Sequence, residues 1–130
     1  MVSNIIQYAK RDISKLNKGD DEIMKIKIYN EVWTIKEVSE DTMIKKAGDL
    51  GEEKVAWGLC QYNYNRIYLN NEIKGVRLRA ILVHELTHAI NFITMKYHDS
   101  YTHEELCDYV ATHIDEINRV VKLYLKSTKK

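Results

Sequence analysis

The first third of the chain changes from a helical to a strand-like hydrophobic period. Residues 4–17 carry apolar side chains at helical spacing with charges between them, which predicts an amphipathic helix. Residues 23–29 and 32–38 instead alternate apolar and polar positions, which predicts two short strands. Asn30 and Glu31 separate these strands and predict a turn. We therefore expect an N-terminal helix followed by a pair of connected strands.

The middle of the chain repeats the strand pattern and then returns to the helical period. Residues 55–62 and 66–69 predict a second pair of strands, joined by an asparagine-rich turn. A long helix is predicted from about residue 72 to about residue 94, with Asn70 or Asn71 as its N-terminal cap. This helix is apolar along most of its length, so we expect it to lie inside the domain.

A last helix is predicted to begin at Thr102. Glu105 follows three residues later, which is the spacing of a capping box. The buried side of this helix is expected to comprise Leu106, Val110, Ile114, Ile117 and Val121. The order of elements predicts a single α+β domain over residues 1–130, with a mostly antiparallel sheet of about four strands and two long helices packed against each other.

Composition narrows the class of protein. The chain has 130 residues, of which 45% are hydrophobic and 30% charged, as in ordinary globular proteins. Twenty Lys and Arg balance 19 Asp and Glu, so no nucleic-acid surface is expected. Two cysteines, no signal-peptide pattern and no long apolar stretch predict a cytoplasmic protein without a membrane partner. Nothing in the sequence indicates an oligomeric state.

The strongest chemical signal is the run of residues 84–88, His-Glu-Leu-Thr-His. Positions four apart on a helix lie one turn above each other, so His84 and His88 can bind one metal ion together. Imidazole nitrogens suit zinc, which keeps an open position for water in catalytic sites. Glu85 is placed to reach a metal-bound water and to act as general base. The alternative is two satisfied histidines on a buried helix.

A catalytic zinc needs a third protein ligand, and the candidates stand at the start of the last helix. Glu104 is the first choice, Glu105 the second and His103 the third. Asp108 lies four residues after Glu104 on the same helix face, where it could orient a ligating histidine through the second ring nitrogen. Each of these acids could instead be a solvated charge that favours the helix dipole.

Residues 84–88 (HELTH), followed by residues 102–111 (THEELCDYVA), resemble the gluzincin arrangement of a zinc helix and a glutamate helix. The size and order of elements are similar to those of compact phage and mobile-element metallopeptidases related to the ImmA/IrrE type. This resemblance implies a minimal zincin-like fold and hydrolysis of a peptide bond by a zinc-bound water, with Glu85 as base. It also implies that an edge strand within residues 55–62 pairs with an extended substrate. His103, which stands just before these acids, also resembles SprT-like proteins, in which the third zinc ligand is a histidine.

These observations predict a zinc-dependent endopeptidase that acts on a peptide or protein substrate, with a regulatory protein as the substrate class that the resemblance suggests. The alternative is a metal-stabilised binding or regulatory module with a peptidase-like fold and little turnover. Glu85 favours the enzyme, because a structural zinc has no use for a general base.

Overall fold

The computed structural model describes residues 22–49, 57–95 and 100–128, which form a four-stranded sheet and three α-helices. In chain order these elements are β1 (Glu22–Ile28), β2 (Glu31–Val38), α1 (Glu40–Asp49), β3 (Gly58–Gln61), a 3₁₀ turn (Tyr62–Tyr64), β4 (Arg66–Asn70), α2 (Gly75–Ile93) and α3 (His103–Thr128). The predicted α+β class is confirmed, as are both strand pairs and both long helices. The helix predicted at residues 4–17 lies outside the described residues.

The sheet has the order β1-β2-β4-β3 and is mostly antiparallel. The β1–β2 pair and the β3–β4 pair are antiparallel, whereas β2 and β4 are parallel. Each antiparallel pair closes with a residue at positive φ, Tyr29 in the first and Asn65 in the second. Asn65 suits this position because asparagine tolerates the left-handed region better than most residues. Among the described strands, β1 and β3 are therefore the sheet edges.

One face of the sheet is covered by α2 and α3. The largest core cluster joins both helices to apolar side chains of β1, β2 and β4, including the fully buried Trp33, Ile35, Ile67 and Leu69. The residues that α2 contributes to this cluster lie on one side of the helix: Leu78, Leu82, Leu86, Ala89 and Ile90. The two helices also meet directly, since the hydroxyl of Tyr109 donates to the carbonyl of Thr87 at 3.1 Å. The predicted packing of the motif helix against the last helix is confirmed.

The opposite face of the sheet is covered by α1. Met43 from this helix is fully buried against Val38, Leu59 and Tyr68. The Oγ of Ser39 accepts a hydrogen bond from the backbone N–H of Thr42 and so caps the start of α1. The sheet therefore has helices on both faces, and its edge strand β3 lies beside α2.

The buried side of α3 differs from the predicted one. Ile117 and Val121 are buried as expected, but Leu106, Val110 and Ile114 are 51%, 48% and 41% exposed. The face that packs inward instead comprises Tyr109, His113, Ile117, Val120, Val121 and Tyr124. Tyr and His bury an apolar ring while their polar atoms hydrogen-bond, and Tyr124 donates to the buried carboxylate of Glu37. The prediction was wrong because it counted aliphatic residues alone.

The predicted N-terminal cap of α3 is confirmed, whereas the predicted cap of α2 is wrong. Thr102 and Glu105 form the predicted capping box, in which each side chain accepts the backbone N–H of the other residue, at 3.1 and 2.9 Å. The cap of α2, however, is Lys74, which makes no side-chain capping bond. The Asn70 side chain accepts the N–H of Glu72 and stabilises the turn before the helix instead.

Within the described ranges, no helix combines the length and the apolar character needed to cross a membrane.

Candidate metal centre

His84 and His88 lie one turn apart on α2 and face the same side of it. Their ring centroids are 4.9 Å apart with an interplanar angle of 77°. Two imidazoles that bind one tetrahedral zinc at about 2.1 Å have ring centroids about 5 Å apart. His84 is exposed and His88 is half-buried. The separation of the two rings is thus compatible with their sharing one zinc ion.

Glu85 is buried between α2 and the edge strand β3, with only 6% of its surface exposed. This position depends on Gly58, the first residue of β3. A Cβ added to Gly58 would lie 2.8 Å from Cγ2 of Ile81, and 2.9 Å from both Cγ and Oε2 of Glu85. Real Cβ atoms essentially never approach so closely. The absence of a side chain at residue 58 therefore creates the space in which the Glu85 carboxylate lies.

The two histidines and the glutamate open into one cavity of about 430 Å³. Its other wall is the continuous segment 58–64, which includes β3 and the following 3₁₀ turn. The ring of Tyr62 stacks on Phe92 of α2, with centroids 5.3 Å apart, and thereby connects this wall to the helix. Both metal-binding candidates and the candidate base thus face the same space along an edge strand.

The surroundings of His88 favour its neutral form. Burial and the nearby His84 lower the pKa of His88 from its usual value. A lowered pKa keeps His88 unprotonated at neutral pH, and this is the form that binds metal. Burial, with the charge of Glu85 adding to it, raises the pKa of the Cys60 thiol far above its usual range. Cys60 is therefore an unreactive thiol in the wall of the site and no competing nucleophile.

The third metal ligand stays a prediction. Among residues 22–49, 57–95 and 100–128, no three His, Cys, Asp or Glu side chains form a group that could hold a metal ion. Glu104 and Asp108 are exposed on the first turns of α3. Glu105 lies four residues before Tyr109, which contacts α2, whereas Glu104 is displaced from Tyr109 by about 140° around the helix. Glu105 is therefore nearer to the side of α3 that faces the motif helix, although its carboxylate closes the capping box.

His103 and Cys107 form a separate, exposed pair on α3. The Sγ of Cys107 lies 3.7 Å from Nε2 of His103, one turn away. Cys107 is exposed, although free cysteine is among the most often buried residue types. Within the described residues this pair does not join His84 and His88 in a metal-binding group.

Two contributors to the site were not predicted from sequence. Gly58 carries a recognisable signal, because a glycine inside a strand pattern often marks a close approach of another chain segment. Tyr62 is one of nine tyrosines in the chain, and no local pattern in the sequence distinguishes it from the others. Tyr62 is placed in the site by stacking on Phe92, which lies 30 residues away along the chain.

Comparison of the chain with protein-family models, with curated proteins and with solved structures finds no match.

Proposed function

We propose that this protein is a zinc-dependent endopeptidase. The observation that carries the proposal is the shared cavity of His84, Glu85 and His88 beside an edge strand. Two imidazoles at a separation that suits zinc supply two metal ligands, and the buried carboxylate next to His84 supplies a general base for metal-assisted hydrolysis. The resemblance of the motif to that of gluzincins supports the same assignment.

The proposed roles follow from where each side chain lies. His84 and His88 hold the zinc ion, which supplies Lewis acidity and lowers the pKa of water when it is bound. Glu85 accepts a proton from the attacking water and then delivers it to the departing amine nitrogen, so that the peptide bond breaks with one water consumed. Burial against Gly58 keeps the Glu85 carboxylate in one place for both transfers.

The third zinc ligand is proposed to come from the first turn of α3. The sequence favours Glu104, while Glu105 lies nearer to the side of α3 that contacts α2. For either residue to reach the ion, the start of α3 must approach the motif helix. Glu105 would also exchange its capping bond to Thr102 for the metal. Asp108 is the candidate for orienting a ligating imidazole.

The substrate is proposed to be an extended segment of a peptide or protein. Strand β3 pairs with β4 on one side and, among the described strands, has no neighbour on the other. Such an edge offers backbone N–H and C=O groups to which an extended chain can add as a further strand. Because residues 58–64 also line the cavity, a chain bound along β3 would lie beside the space that Glu85 and the two histidines share.

The resemblance to ImmA/IrrE-type proteins of phages and mobile elements suggests a regulatory protein as substrate. The proposed cytoplasmic location rests instead on the two cysteines, which are too few for a disulfide framework and favour a reducing compartment. The similarity of His103 to the SprT-like pattern is a weaker alternative. The balanced charge of 20 basic and 19 acidic residues gives no support to a nucleic-acid partner.

The proposal is tested by removing and restoring the metal. The purified protein is incubated with a complex peptide library, and new termini are identified by mass spectrometry. We expect cleavage by the zinc-loaded protein, its loss after dialysis against a chelator, and its return with equimolar zinc but not with magnesium, because imidazole ligands favour zinc. Zinc binding without any cleavage would instead support the metal-stabilised binding module.

A further inference from the structure

The side chain of Tyr62 is held in place beside one of the two proposed metal ligands. Its ring is stacked on Phe92, with centroids 5.3 Å apart and planes 18° from parallel. It also meets the imidazole of His88 edge-on, with centroids 6.4 Å apart. The hydroxyl oxygen lies 3.3 Å from Nδ1 of His88. Stacking thus fixes the ring so that its hydroxyl points at a single nitrogen of the imidazole.

The identity of that nitrogen matters for metal binding. A neutral imidazole carries one N–H and one lone pair, and the hydrogen bond made by one nitrogen determines which of the two binds metal. If Nδ1 donates its hydrogen to the Tyr62 oxygen, Nε2 holds the lone pair and is free for the ion. A phenolic hydroxyl both donates and accepts, so the Tyr62 oxygen can accept this bond while its own proton turns towards solvent, to which 40% of the residue is exposed.

We propose that Tyr62 is a positioning residue for His88, whose Nδ1–H it accepts so that the ring keeps the tautomer and orientation in which Nε2 binds zinc. This inference rests on the proposed function for the identity of the ion, while the tautomer is a property of the metal-free protein. Partners that accept the second N–H of a ligating histidine typically contribute about 10- to 100-fold to metal affinity. Tyr62 would thus act through His88 and not on the substrate.

The molecule contains a matched control for this arrangement. Outside the set of residues that line the cavity, the hydroxyl of Tyr29 also lies within hydrogen-bond distance of an imidazole Nδ1, that of His113. Tyr29→Phe therefore removes a tyrosine–histidine contact of the same kind from the protein without touching the proposed metal ligands. Tyr62→Phe keeps the ring that stacks on Phe92 and removes only the hydroxyl.

The first measurement is the tautomer of His88 in the metal-free protein, from the ¹⁵N chemical shifts of its ring nitrogens. The wild-type protein and Tyr29→Phe are expected to show predominantly the Nδ1–H form at His88. Tyr62→Phe is expected to shift the ring towards Nε2–H. Predominance of Nε2–H in the wild-type protein would overturn the proposal, because Tyr62 would then be the donor.

The second measurement is the zinc dissociation constant, by competition with a chromophoric chelator. Tyr62→Phe is expected to raise it about 10- to 100-fold and Tyr29→Phe to leave it within about twofold. Urea unfolding of the metal-free variants separates this effect from a loss of stability. An unchanged dissociation constant in Tyr62→Phe would contradict the positioning role. Failure of the wild-type protein to bind zinc would refute the proposed function, whereas the tautomer measurement would still decide whether Tyr62 orients His88.

Discussion

Replacement of Glu85 with Gln is expected to reduce peptide hydrolysis by about 10²- to 10⁴-fold, the usual contribution of a positioned general base. Glutamine has nearly the same shape, so it fits the space beside Gly58 in which the carboxylate is buried. Glutamine cannot accept a proton from water, which is the role proposed for Glu85. Zinc content should stay unchanged, because His84 and His88 remain in place.

The matched control for this variant is Glu72→Gln. Glu72 is an exposed carboxylate that precedes α2 and lies outside the cavity. Rates of cleavage and zinc per chain are measured for both variants in the same preparation series. If Glu85→Gln cleaved peptides as fast as the wild-type protein, Glu85 would not be the base.

Replacement of Gly58 with Ala is expected to lower the free energy of unfolding by about 1–3 kcal/mol, the typical cost of adding a methyl group to a closely packed contact. The added carbon would lie within 3 Å of both Ile81 and Glu85, and the two helical side chains or the strand must move. Since Oε2 of Glu85 is one of the atoms displaced, cleavage should slow as well. Urea denaturation of the metal-free protein measures the stability change.

Gly48→Ala is the control for the effect of the extra methyl group itself. Gly48 lies in α1, and a Cβ there would meet no atom within 4 Å. Alanine favours a helix over glycine by roughly 0.5–1 kcal/mol, so Gly48→Ala should stabilise the protein. A Gly58→Ala variant as stable as the wild-type protein would show that the close contact with Glu85 does not constrain the site.

The elements of the fold were largely predictable from local patterns. Alternation marked both strand pairs, helical spacing marked α2 and α3, and the Thr102–Glu105 capping box fixed where α3 begins. These features depend on neighbouring residues, so a linear sequence contains them. The four-residue spacing of His84 and His88 is also a local feature, because the helix alone brings the two rings together.

The features that were missed depend on contacts between distant segments. Leu106 and Ile114 have the spacing of a buried stripe, yet α3 packs through Tyr109 and Tyr124 because their hydroxyls find partners on α2 and β2. Similarly, a glycine inside a predicted strand signals that another segment approaches closely, but nothing near Gly58 in the sequence identifies Glu85 as the residue that does so. Such pairings are set by how the helices lie on the sheet, which hydrophobic periodicity does not specify.

The metal centre is tested most directly by the zinc content of protein purified without chelators, measured by elemental analysis. A zinc site at His84 and His88 predicts about one zinc ion per chain for the wild-type protein and near-complete loss in His84→Ala. Arg79→Ala, an exposed substitution on the same helix, should keep the wild-type content. A wild-type protein that binds no zinc at micromolar excess, or a His84→Ala variant that keeps its zinc, would contradict the metal centre and the peptidase built on it.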